Sequence, residues 1–97
     1  MKSVQVTDVP AGAQLIDVRE PHEYTHTHAA GAVSIPLSEF IARVGEIDPE
    51  RDIYLICHSG GRSAQAAEYL EQSRGWDNII NVAGGTSAWI DAGLPTE

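Results

Sequence analysis

One cysteine stands in the 97 residues, and the six residues after it are of the kind a thiol needs in order to react. The stretch is Cys57-His58-Ser59-Gly60-Gly61-Arg62-Ser63. The cysteine closes an apolar run, Ile53-Tyr54-Leu55-Ile56, and opens a glycine-bearing loop that ends at Arg62 and enters a helix-like segment, Ser63 to Leu70. A strand, a tight loop and a helix in that order form an anion cradle: backbone N–H groups turn inward and the helix N-terminus adds partial positive charge. A thiol there ionises more readily than a free one, and the thiolate is the nucleophile. Gly60 and Gly61 let the backbone curl through positive φ with no Cβ in the way. Arg62 is read as ordering the loop by hydrogen bonds and adding positive charge, and Ser63 as capping the helix. His58, at the loop mouth, either steers anions when protonated or stands in solvent as a spectator. The bland reading of Cys57, a small buried hydrophobe at a strand end, does not account for the glycines and arginine that follow it.

The elements that must carry this loop are short. Ser3 to Val6 reads as an edge strand, Pro10-Ala11-Gly12 as a turn, and Gln14 to Val18 as a buried strand. Pro21 suits a first helical turn with Glu20 and Glu23 beside it, so a short helix is expected over Pro21 to Thr25. Gly31 to Pro36 reads as a brief strand. Leu37, Phe40, Ile41 and Val44 fall at helical spacing, which predicts a helix entered near Pro36 to Ser38. Ile53 to Ile56 is continuously apolar and suits a central strand covered on both faces. Ser63 to Ser73 is the next helix, ended by Gly75; Asn78 to Val82 is a strand; Gly84-Gly85 is a turn; Thr86 to Ala92 is a last helix closed by Gly93 and Pro95. Short strands alternating with helices predict an α/β fold, a small, mostly parallel central sheet flanked by helices on both faces. Ligands bind such sheets at the carboxyl ends of the strands, where Asp17, Cys57 and Gly84-Gly85 all fall.

Composition sets the frame. Hydrophobic residues make up 42% and charged residues 21%, the range of a folded globule. The length suits one domain over residues 1–97, which can bury roughly two thirds of its surface without staples. A lone cysteine forms no internal disulfide. The net charge of −8, from 14 acids against 6 Lys plus Arg, argues against nucleic acid and against an anionic membrane surface as partners. No apolar run has the length of a membrane helix, and the N-terminus turns polar too soon for a signal peptide, so a cytoplasmic location is expected.

Four blocks of the chain then resemble a known family. They are Leu15-Ile16-Asp17-Val18-Arg19-Glu20-Pro21-His22-Glu23-Tyr24; His28-Ala29-Ala30-Gly31-Ala32-Val33-Ser34-Ile35-Pro36; the Cys57 to Ser63 loop; and Gly84-Gly85-Thr86-Ser87-Ala88-Trp89 with Ala92-Gly93-Leu94-Pro95. In this order and spacing they resemble the single-domain rhodaneses, a family of sulfurtransferases. The resemblance implies that Cys57 takes a sulfane sulfur from a small anionic donor such as thiosulfate, or from a persulfide, and becomes a persulfide itself. A thiol or cyanide acceptor, or a sulfur-relay protein, then removes it. It implies no metal or organic cofactor. The N–H groups of residues 58 to 62 would hold the charged sulfur, while Asp17 and Arg19 would serve as an ion pair or hydrogen-bonded support behind the loop.

Loop length separates the chemistries. Four residues lie between Cys57 and Arg62, whereas related folds that hydrolyse phosphate esters carry five. The shorter ring suits one sulfur atom rather than a tetrahedral oxyanion. Many thiosulfate-using relatives also place a basic residue inside the loop; here His58, Ser59, Gly60 and Gly61 include no Lys or Arg. That favours, as the alternative, a sulfur-carrier or redox-sensing module with little small-molecule turnover. His22, His26 and His28 lack the spacing of a metal site. Trp76 and Trp89 read as packing residues, and Gly84-Gly85 as a tight turn close to the active loop.

Overall fold

In a computed structural model that describes all 97 residues, five parallel strands form one sheet. The strands are β1 (Lys2–Val4), β2 (Gln14–Asp17), β3 (Val33–Ser34), β4 (Ile53–Ile56) and β5 (Ile79–Val82), in the spatial order β1-β5-β4-β2-β3. Three α-helices accompany them: α1 (Pro21–His26), α2 (Gly61–Arg74) and α3 (Gly85–Asp91). No helix is long and apolar enough to cross a membrane.

β4 lies at the centre, between β2 and β5, and all four of its residues are buried. Its alternation distributes them between two cores. Ile53, Leu55 and Cys57 join Leu70, Ala66 and Ala67 of α2 with Phe40 and Val44 on one face; Tyr54 and Ile56 join Val6, Val82 and Trp89 of α3 on the other. A strand apolar at every position is what a sheet covered on both faces requires. β5 follows the same rule with one exception. Ile80 and Val82 face the α3 side and Ile79 the α2 side, so the fourth buried position, Asn81, is polar.

The chain between β3 and β4 departs from expectation. In place of an α-helix there are two 3₁₀ segments, Leu37–Glu39 and Ile41–Glu46. Phe40 and Val44 are buried as their spacing requires, but Ile41 is 69% exposed. Only a narrow edge of this segment meets the core, so the tighter turn serves as well. Ser38 does not cap it: its hydroxyl donates to Glu20 Oε1 at 3.0 Å. The first strand is also shorter than its alternation suggests, since Val6 already belongs to a 3₁₀ turn.

Candidate active site

The carboxyl ends of β2, β4 and β5 lie side by side, with Asp17 opposite Ile56 and Leu55 opposite Asn81. Cys57 directly follows β4, 1% exposed and on the α2 face. Its neighbours are backbone and hydroxyl donors. Gly60 N–H donates to Cys57 Sγ at 3.1 Å, and Ser63 Oγ lies 3.3 Å from the sulfur. Burial pushes the Cys57 thiol up, but the Ser63 hydroxyl and the backbone N–H groups of Ser63, Gly60 and Ser59 outweigh it, and the thiol ends below its ordinary range.

The loop is held open from outside. Thr86 N–H donates to the Cys57 carbonyl at 2.7 Å and Ser87 N–H to the His58 carbonyl at 3.1 Å. In a planar trans peptide the C=O and the following N–H point in opposite directions. Carbonyls drawn outward to α3 therefore turn the N–H groups of His58 and Ser59 the other way. This contact requires Gly85, whose φ is +59° and where a Cβ would lie 2.5 Å from the Cys57 carbonyl oxygen. Gly60, at φ +110°, makes the turn into α2.

Two expected roles change. Ser63 is not the helix cap: α2 begins at Gly61 with Gly60 in the cap position. That puts Ser63 one turn inside, fully buried, where its hydroxyl meets Cys57 Sγ, the Gly60 carbonyl at 3.2 Å and Asn81 Oδ1 at 2.5 Å. Arg62 does not hydrogen-bond the loop. Its guanidinium forms a two-pronged pair with Glu23 of α1, at 2.7 and 3.0 Å. Arg62 pulls the Glu23 carboxyl down to about 2, and Glu23 in turn raises Arg62. The fork ties α1 to the start of α2.

Asp17 and Arg19 form a buried pair, Arg19 Nη2 to Asp17 Oδ2 at 2.8 Å, and Arg19 also donates to the Thr27 carbonyl at 2.7 Å. The pair fixes the far end of α1; no hydrogen bond joins it to the Cys57 loop. His58, Ser59 and Gly61 are exposed around the mouth. His28 stacks on Tyr24 with ring centroids 3.7 Å apart, and nowhere do three His, Cys, Asp or Glu side chains converge as metal ligands would. Trp89 is a packing residue whose Nε1 donates to the Pro95 carbonyl at 2.7 Å. A concavity of about 670 Å³ opens at the amino ends of the strands among Val6, Leu15, Trp89 and Arg51, and none of residues 57–63 lines it.

Asn81 and Glu23 are the site-forming residues that motif reading missed as such. Asn81 could have been found from β5: a polar residue at a position that alternation sends under α2. Nothing in the sequence pairs Glu23 with Arg62.

Comparison with known proteins agrees with this architecture. The rhodanese-like domain model matches residues 5–92. A Bacillus subtilis protein provisionally named as the sulfur carrier YrkF is 40% identical over 85 residues, which are 88% of this chain but 45% of that protein. The thiosulfate sulfurtransferase GlpE of Actinobacillus pleuropneumoniae is 31% identical over 86 residues, covering 89% of this chain and 79% of that one. The crystal structure of a rhodanese-related protein from Thermoplasma volcanium superposes with a TM-score of 0.91 at 32% identity, covering 100% of this chain and 98% of that chain. A family match over nearly the whole chain, the same fold and a donor-lined cysteine loop at the carboxyl edge of the sheet place this chain in the rhodanese family.

Proposed function

We propose that the protein is a sulfurtransferase acting within one domain, with Cys57 as the catalytic nucleophile and residues 58 to 63 as the cradle for the sulfur it carries. The observation that carries the reading is the donor set on Cys57: Gly60 N–H at 3.1 Å and the Ser63 hydroxyl at 3.3 Å on an otherwise buried sulfur. In the first half-reaction the Cys57 thiolate attacks the sulfane sulfur of thiosulfate or a persulfide. The new S–S bond forms as the donor's own bond breaks, and sulfite or the donor thiolate leaves with the electron pair. In the second, an acceptor thiolate or cyanide attacks the outer sulfur, and the pair returns to Cys57. The inward N–H groups stabilise the anionic outer sulfur, which has no counter-ion of its own. Arg62, occupied by Glu23, acts as a brace between α1 and α2.

A second reading has its own support. The loop interior has no Lys or Arg, the protein carries −8, and one relative bears a sulfur-carrier name. A thiosulfate dianion then binds weakly, and a partner protein supplies or receives the sulfur.

Intact mass after thiosulfate, and again after cyanide, tests the proposal on the native protein and Cys57→Ser. Addition of one sulfur atom to the native protein alone, reversed by cyanide as thiocyanate appears, is the expected result. An adduct retained by Cys57→Ser overturns the nucleophile. An adduct from persulfide donors but none from thiosulfate selects the carrier reading.

A further inference from the structure

Ser63 has one hydroxyl proton and three neighbours able to accept it: Asn81 Oδ1 at 2.5 Å, the Gly60 carbonyl at 3.2 Å and Cys57 Sγ at 3.3 Å. The Asn81 amide cannot turn over without loss, because its Nδ2 donates to the Gly60 carbonyl at 3.4 Å, and a flip would set two oxygens against each other. Its Oδ1 therefore stays aimed at Ser63. Asn81 is 7% exposed and Ser63 fully buried, so bulk water does not compete for these bonds.

We propose that Asn81 is a positioning residue that holds the Ser63 hydroxyl proton while Cys57 is protonated or sulfurated and yields it to Sγ when Cys57 becomes a thiolate. The two states make different demands. A protonated Cys57 donates its own S–H to Ser63 Oγ, which leaves the hydroxyl proton free for Asn81. In a persulfide, Sγ is bonded to the outer sulfur, carries little charge and accepts poorly. When an acceptor attacks the outer sulfur, the Sγ–S bond breaks and its electron pair lands on Sγ. The proton then turns from Asn81 to the new thiolate and stabilises the leaving group; the enzyme gives up only the outer sulfur, to the acceptor, and Ser63 keeps its proton. Asn81 thus competes with the thiolate for a single proton and holds Cys57 in the thiol form. A merely structural Asn81 acts in the opposite direction, because losing a brace on Ser63 would loosen a bond to the thiolate and disfavour ionisation.

The sulfur-transfer half of this argument rests on Cys57 carrying a persulfide; the proton competition does not. The test is therefore the pH dependence of Cys57 alkylation by iodoacetamide, which needs no sulfur donor and stands even if transfer fails. Asn81→Leu, of similar volume and with no acceptor, is expected to move the thiol titration down by roughly half to one pH unit, the scale of one hydrogen bond. The Gly60 carbonyl remains as an alternative acceptor, already bonded to Ala64 N–H at 3.2 Å, which keeps the effect modest. In a Ser63→Ala background the same substitution is expected to change nothing. A titration that is unmoved or rises in Asn81→Leu, or that falls equally without Ser63, overturns the proposal. The remaining charged groups around the loop, Arg62 with Glu23, Asp17 with Arg19, and His58, are common to all these variants. If Asn81→Leu does not fold, Asn81→Asp keeps the shape and binds the proton more strongly. Its titration is expected to rise, and to rise less once Ser63 is gone; an equal rise in both backgrounds is charge alone and overturns the proposal.

Discussion

Hydrogen bonds from Ser63 and the loop N–H groups lead the lowering of Cys57, ahead of the charge of Arg62, and this separates two residues the sequence treats alike. Ser63 touches the sulfur, whereas Arg62 spends its guanidinium on Glu23. A guanidinium and carboxylate in a fork present little net charge to a third group. Ser63→Ala is therefore expected to raise the Cys57 titration by about one to two pH units, the worth of a hydrogen bond to an ion. Arg62→Ala is expected to raise it less, because it leaves the N–H cradle in place. The sign follows from the thiolate being the reactive form: a higher pKa leaves less of it at neutral pH, so alkylation slows there and recovers at alkaline pH. Alkylation profiles of the two variants side by side check this, and an Arg62→Ala effect exceeding that of Ser63→Ala would show that charge dominates after all.

The loop depends on elements that are distant in sequence. α2 supplies Ser63, β5 supplies Asn81, and the start of α3 draws the Cys57 and His58 carbonyls away from the sulfur. Gly85 is where this last element is most exposed to change. Gly85→Ala places a methyl 2.5 Å from the Cys57 carbonyl oxygen at φ +59°, so both the backbone and the contact object. The expected cost is about 2 to 5 kcal/mol in urea unfolding, with slowed Cys57 alkylation as the loop shifts. A variant with an unchanged midpoint would mean that α3 is free to move aside. How far the sequence foretold these elements follows from what each one buries. β4 announced itself because a strand covered on both faces must be apolar throughout, and the end of α2 because Gly75 stops it. The segment from Leu37 to Glu46 did not, since apolar residues three and four apart satisfy a 3₁₀ turn as well as an α-helix when only one edge is buried. Ser63 was misread because a serine before alanines has the pattern of a cap; the helix starts two residues earlier, at Gly61, behind a glycine in the left-handed region. Asn81 and Glu23 act through contacts 18 and 39 residues away along the chain, and one sequence carries no signal of such pairing.

At the scale of the molecule, a small loop of backbone donors sits in a strongly acidic protein. Three of the six Lys and Arg side chains are committed to ion pairs, Arg19 with Asp17, Arg43 with Glu39 and Glu46, and Arg62 with Glu23. The field a small anion meets on approach is thus set by the net charge of −8, and the attraction begins only at the loop. Long-range repulsion between like charges is screened within roughly 8 Å at physiological ionic strength, while the short contacts inside the loop are screened much less. Raising salt from low to physiological levels should therefore increase kcat/KM for thiosulfate, through KM rather than kcat. An uncharged sulfur donor should show no such gain, because it meets no field to screen. Steady-state rates for the two donors across a salt series decide the matter. A thiosulfate rate that falls with salt would show a local positive field at the mouth strong enough to outweigh the rest of the protein, and His58, exposed at that mouth, would be the residue to substitute next.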